Sequence, residues 1–551
     1  MSRRQKLELT WIGKENRPKL EPRILIEDPD RSYHADHRVS EADIFDNRLI
    51  FGDNLLALKA LEQEFAGKVK CIYIDPPFNT GQAFQHYDDG VEHSLWLGLM
   101  RDRVEILHRL LHPEGTLWMH LDDNEAHYMR VVLDEVLGRQ NFIATVAWRA
   151  ADSSNNDAKQ FSIDHNLILV YSATPGWRSN PLPRTEESNA HYRNPDNDPR
   201  GPWFPGNLSS PNPRPNLRFD LLSPSGNVIH PPANGWRWSR ERLEGMIATG
   251  DIVFSADGTR VIRKTYLADQ KGLSPSSVWA NIEETGHNRQ AKYELKKLFP
   301  DIATADLFKT PKPERLIQRV IHISTEPGDT ILDSFAGSGT TGAVAHKMGR
   351  RWIMVELEET CHDFVIPRLR KVIDGEDGGG VTESTEWKGG GGFRYYKLGP
   401  SLLEKDRYGN WVISKEFNPT MLAEAVCKLE GFAYAPNDEV YWQHGQSTET
   451  DFIYVTTQTM THEMLEQLSD EVGERCSLVV YCAAFRAKQD AFPNLTIKKI
   501  PKTVLKKCEW GHDDYSLEIE NLPQAPPEPE PDEADEGHIA MRSLFDEGSV
   551  E

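Results

Sequence analysis

The residues best suited to chemistry are Asp75-Pro76-Pro77-Phe78. They follow Val69-Lys70-Cys71-Ile72-Tyr73-Ile74, an apolar run that reads as a buried strand. That strand would end in one carboxylate and a stiff, carbonyl-rich turn. Pro76 lacks an N–H and fixes its own φ, so the ladder stops there and the turn stays open to a ligand. The carboxylate and a carbonyl could accept the two hydrogens of an exocyclic amine, and the Phe78 ring could stack on the heterocycle bearing it. A strand-ending turn with no chemistry would share the pattern.

A second segment narrows the choice. Thr330-Ile331-Leu332-Asp333 reads as a strand, Ser334-Phe335-Ala336-Gly337-Ser338-Gly339-Thr340 as a glycine-rich turn, and the residues through Met348 as a helix. Arg351-Trp352-Ile353-Met354-Val355-Glu356 is then an apolar strand ending in an acid. Strand, glycine turn, helix and strand, with an acid about 20 residues after the glycines, describe a nucleotide-type cofactor site. Glycines let the backbone approach the ligand, and Glu356 can accept from ribose hydroxyls. No Lys-Ser/Thr follows the glycines, so this is not a phosphate loop.

Together the two motifs resemble the beta-class DNA methyltransferases that use S-adenosylmethionine to methylate an exocyclic amine. Asp-Pro-Pro-Phe matches their catalytic motif, Phe-Ala-Gly-Ser-Gly their Phe-x-Gly-x-Gly cofactor motif, and the catalytic motif comes first, as that class has it. The span from Gly52-Asp53-Asn54-Leu55 to Glu356 is similar to the modification subunits of type III restriction systems. The resemblance implies adenine N6 of double-stranded DNA as acceptor, with the base flipped out of the helix. It implies Asp75, Pro76, Pro77 and Phe78 as the catalytic set. Asp333, Phe335, Ala336, Gly337, Ser338, Gly339, Thr340 and Glu356 would hold the cofactor. Thr310-Pro311-Lys312-Pro313-Glu314 fits the family's extra cofactor-contacting segment, which brings in Lys312. Asp53 could touch the cofactor or cap the helix after it. No metal is required. A separate helicase and nuclease subunit and a homodimer are the expected partners. Cytosine N4 is the close rival acceptor, although that reaction often accompanies Ser-Pro-Pro. Cytosine C5 chemistry needs a thiolate, usually from Pro-Cys, and the sequence has no such dipeptide. A catalytically silent DNA-recognition subunit, and an enzyme acting on RNA or a protein amide, are the readings from other classes.

The elements that must position these residues follow from pattern. The fold class is α/β, a Rossmann-like doubly wound sheet with permuted motif order. Residues 1–45 read as an N-terminal arm, 46–175 as the catalytic half and 301–375 as the cofactor half. Between them, 176–300 is rich in Pro, Gly, Asn, Arg and Trp and reads as an inserted target-recognition domain. Its 17 Lys/Arg against 13 Asp/Glu suit phosphate contact better than the whole-chain charge of −22 suggests. Asp122-Asp123-Asn124-Glu125 is expected to cap a helix ending at Gly138. The glycine runs of 376–392 read as a flexible linker, 393–521 as an α/β accessory domain, and 522–551 as an acidic disordered tail. Near its end Ser543-Leu544-Phe545 resembles part of a sliding-clamp-binding peptide. Six scattered cysteines and no long apolar run point to a reducing bacterial or archaeal cytoplasm without a membrane span or secretory signal.

Overall fold

A computed structural model describes residues 8–77, 89–488 and 491–515. Phe78, the acidic tail and Ser543–Phe545 lie outside the described residues. Among those described, no helix is long and apolar enough to cross a membrane.

The centre is an eleven-stranded sheet. In chain order its strands are β1 (Leu25–Glu27), β2 (Tyr33–His34), β3 (Asn47–Phe51), β4 (Val69–Ile74), β5 (Leu111–Leu121), β6 (Phe142–Arg149), β7 (His165–Ser172), β8 (Val278–Trp279), β9 (Thr330–Asp333), β10 (Arg351–Glu356) and β11 (Gly392–Leu398). Across the sheet they run β1-β11-β3-β10-β9-β4-β5-β7-β6-β8, with β2 also on β11. From β11 through β5 every pairing is parallel. Such strands are covered on both faces and read as continuous apolar runs. β4 shows why: Ile72 and Ile74 enter one apolar layer, while Cys71 and Tyr73 enter the other.

The first layer is roofed by α1 (Asn54–Phe65), α2 (Asp89–Leu110) and α3 (Ala126–Leu133), through Leu55, Leu58, Met100, Leu107 and Met129. The second is roofed by α4 (Glu314–Ser324), α5 (Thr340–Lys347) and α6 (Ile366–Ile373), through Leu316, Val320, Val344 and Leu369. The expected doubly wound α/β sheet is thus present.

Three expected divisions are corrected. The arm 1–45 supplies β1 and β2, which pair antiparallel with β11, so it is an edge of the main sheet. The strand Gly392–Leu398 lies between β1 and β3, so the accessory unit begins after 398 rather than at 393. The segment 376–392 is packed and does not behave as a flexible linker: Asp377 is buried against Lys347 at 2.7 Å, and Gly389, Gly390 and Gly391 all have positive φ. A Cβ on Gly391 would stand 2.7 Å from the Ile44 carbonyl oxygen. Glycine there permits a tight turn, and composition alone cannot tell that from slack chain.

The insert has its own small core of Leu208, Leu221, Ile229, Trp236, Leu243 and Ile252, beside a three-stranded antiparallel sheet of 203–206, 252–254 and 261–266. It rejoins the main sheet at β8, parallel to β6. The C-terminal unit carries a five-stranded sheet that includes 451–455, 477–482 and 495–499, with a helix at His462–Val472.

Candidate active site at the switch point of the sheet

β4 and β9 are hydrogen-bonded neighbours, with Ile331 beside Cys71 and Leu332 beside Ile72. Their successors lie on opposite sides: β4 continues through α2 to β5, and β9 through α5 to β10. The chain therefore parts at their carboxyl ends, leaving a crevice of the kind where ligands bind in open α/β sheets. Asp75-Pro76-Pro77 leaves from one lip and the Ser334–Thr340 turn from the other. Two segments more than 250 residues apart in sequence are brought together by one strand pairing.

The Pro77 carbonyl accepts the Trp96 indole N–H at 3.0 Å, which ties the turn to α2. The Lys312 ammonium donates to Asp75 Oδ2. The other oxygen, Oδ1, is buried without a hydrogen-bond partner among the described residues. A buried carboxylate oxygen left unmatched is costly, and a ligand amine would satisfy it. Lys312 thus contacts the catalytic lip, whereas the motif resemblance suggested only the cofactor.

The opposite lip is organised by Asp333. Its carboxylate accepts from the Phe335 N–H at 2.9 Å and the Thr341 hydroxyl at 2.6 Å, closing the turn from inside. Burial, with Asp75 and Glu356 nearby adding to it, pushes this carboxyl up to about 7. Gly337 has φ +54°, and a Cβ there would sit 3.0 Å from the Phe308 ring. Gly339, also left-handed, leads into α5. Glu356 ends β10, and its Oε2 accepts the Gly337 N–H at 2.6 Å. Its Oε1 takes the Leu357 and Glu358 amides, each at 3.1 Å. Burial raises its carboxyl too. Ala336 sits in the second apolar layer, and its N–H reaches the Val355 carbonyl at 3.1 Å.

The remaining expected residues separate by the direction they face. The Ser338 and Thr340 hydroxyls lie 3.2 Å apart and are buried beneath the turn, where the Arg368 guanidinium donates to Thr340 at 2.8 Å. Arg368 also meets Glu314, which with Lys347 and Asp377 completes a buried four-charge cluster, each ion pair at 2.7 or 2.8 Å. The Asp53 side chain caps α1 through the Leu56 amide at 3.0 Å and also takes Arg103 and the Tyr515 amide. The capping bond is thus formed. Its neighbour Asn54 donates to the Ser334 carbonyl at 2.8 Å and accepts from Arg103, linking the two lips.

Several contributors carry no local signal in the sequence. Phe308 covers the glycine turn. His120, on β5 beside Asp75, is buried with Nδ1 3.1 Å from the Tyr73 hydroxyl. Burial first, then the Lys312 charge, pushes it down to about 3, so its imidazole is neutral near pH 7. Glu125 does not cap the next helix as expected: its side chain makes no cap bond and turns inward, 2.6 Å from His93 Nδ1. Asp122 instead accepts the Asn124 amide at 3.0 Å, holding the preceding turn.

The sequence also matches known proteins. A DNA methylase family profile matches residues 69–366, more than half of the chain. The probable type III restriction-modification enzyme HindVI Mod subunit of Haemophilus influenzae is 28% identical over 66% of this chain and 55% of its own length. The type III EcoP15I Mod subunit of Escherichia coli is 27% identical over 64% and 65%, respectively. The type II methyltransferase M.EcaI of Enterobacter cloacae is 28% identical over 61% and 73%. The match thus spans little more than half the length of the HindVI Mod subunit.

Proposed function

We propose a specific reaction for this chain, which belongs to the DNA methylase family: transfer of a methyl group from S-adenosylmethionine to N6 of adenine in double-stranded DNA. The observation that carries it is the orphaned Asp75 Oδ1, buried at a lip that faces the glycine turn across one strand pairing.

The residues fit a nucleoside-type donor. Gly337 presents no side chain, and the Glu356 carboxylate, bonded to the Gly337 amide, keeps lone pairs with which it would accept ribose hydroxyls. When bound, S-adenosylmethionine supplies an electrophilic methyl: a nitrogen–carbon bond forms as the sulfur–carbon bond breaks. The protein prepares the acceptor. Adenine N6 is a weak nucleophile because its lone pair is delocalised into the ring. Asp75 Oδ1 and the Pro76 carbonyl accept the two amine hydrogens and turn that lone pair out of the ring plane. Lys312 holds Oδ2, so the carboxylate keeps one orientation. Phe78 stacks on the base, worth roughly 1–3 kcal/mol. The rest of the advantage is alignment. The amine proton is shed after transfer, to Asp75 or to solvent.

The insert 176–300 would read the target sequence. The relatives' names support a modification subunit of a type III-like system. In our reading it works as a homodimer beside a separate restriction subunit in a bacterial or archaeal cytoplasm. A clamp contact through Ser543–Phe545 is a minor part of the same reading. Incubating the protein with methyl-labelled S-adenosylmethionine and duplex DNA, then resolving the nucleosides, tests the assignment. Label in N6-methyladenine is expected. Label in N4-methylcytosine, or in RNA or protein only, would overturn it.

A further inference from the structure

The loop 150–164 joins β6 to β7 at the same edge of the sheet that carries Asp75. The register fixes this: Ile74 lies beside Met119, Leu121 beside Leu167, and Arg149 beside His165. At about 4.8 Å per strand, the loop's two roots stand roughly 10–15 Å from β4. It is internally braced. The Asp164 carboxylate accepts from the Ser154 and Ser162 hydroxyls at 2.5 Å each, and Ser162 Oγ in turn accepts the Asn155 amide at 2.6 Å. The Asp164 carbonyl takes the Ala150 and Ala151 amides at 2.9 and 3.1 Å, and Asp152 pairs with Arg289 at 2.7 Å. Yet this braced loop holds two apolar side chains out in solvent: Phe161 is 86% and Ile163 65% exposed. The polar groups fasten the loop to itself and, through Asp152, to Arg289, while its two large apolar side chains stay in solvent.

We propose that Phe161, backed by Ile163, is a wedge that enters the base stack of the duplex beside the target adenine. The inference rests on the methylation reading above. The amine lies inside the duplex, so the base must leave the stack before Asp75 can reach it. An emptied base step is an apolar slot about 3.4 Å high, which a flat ring fills. A ring on a braced loop at the rim of the crevice can fill that slot while the extruded base occupies the crevice. Lys159, also exposed and two residues earlier, lies where it can meet a flanking phosphate.

The test uses the full chain and two synthetic duplexes containing its methylation site, found by sequencing DNA from expressing cells. One has the target adenine paired; the other places it opposite an abasic position, where extrusion is already favoured. Phe161→Ala is expected to lose about tenfold or more in kcat/KM on the paired duplex and less than about twofold on the abasic one. Phe161→Trp should restore most of the loss. Equal losses on both duplexes, or none on the paired one, would overturn the wedge. Wild-type protein inert on both would overturn the methylation reading, and the wedge with it.

Discussion

Asp75 has one oxygen committed to Lys312 and one without a partner among the described residues, and this asymmetry sets the expectations at single residues. Asp75→Ala should lower methyl transfer by at least about 100-fold, because both lone-pair alignment and the acceptor for the amine are lost. Lys312→Met keeps the stem but frees Oδ2. Its kcat should fall about tenfold, read in single-turnover kinetics with saturating donor, since a carboxylate that can rotate no longer aims Oδ1. An unchanged rate would place Lys312 outside the reaction. Asp333 gives a pH signature. Its folded value near 7 lies above the ordinary 3.8, so the folded state binds more protons between those values. Its contribution to stability is complete below about pH 3.8 and is lost as pH rises through about 7. The melting temperature of the wild type should therefore fall more steeply from pH 4 to pH 7 than that of Asp333→Asn. Parallel curves would contradict a protonated Asp333.

At the scale of elements, the site depends on the packing beneath the glycine turn. Glu314 starts α4 and is buried between Lys347 and Arg368. Glu314→Ala leaves two buried cations facing Asp377 alone, so unfolding in urea should show a loss of about 3–5 kcal/mol. A loss below about 1 kcal/mol would mean that solvent already reaches the cluster. The strands that carry the two motifs were legible because a parallel strand buried on both faces is a short, continuous apolar run with a turn at its end. Asp122–Glu125 misled for the opposite reason. Acids ahead of an apolar run match a capping pattern, but Glu125 is drawn inward by His93 on α2, a partner no local pattern records. Lys312 is similar: its motif was visible, while its contact with Asp75 depends on α4 packing under β4.

For the molecule as a whole, the sheet pairings decide what the sequence could only suggest. The resemblance implied that both motifs serve one reaction, and the β4–β9 pairing brings the two lips together. Edges were harder to read, since β1 and β2 are only three and two residues long and lie far in sequence from β11, which follows glycines that look like linker. The insert's start coincides with a change in composition, because a small core among many turns needs Pro, Gly and Trp rather than periodic apolar residues. Its end was placed at 300, although β8 already pairs with β6 in the main sheet. Exchanging 176–300 for the insert of a relative should move the methylated sequence to that relative's site without abolishing transfer. An unchanged site would remove sequence reading from this unit.

The most direct measurement is calorimetric binding of S-adenosylmethionine to Asp75→Ala and Gly337→Val, set beside transfer by each. Two lips of one crevice predict that both variants are inactive for different reasons. Asp75→Ala should bind the donor within about threefold of wild type, whereas Gly337→Val should bind none, its Cβ driven against Phe308 at a left-handed position. Donor binding unaffected by Gly337→Val, or methyl transfer retained by Asp75→Ala, would contradict the account.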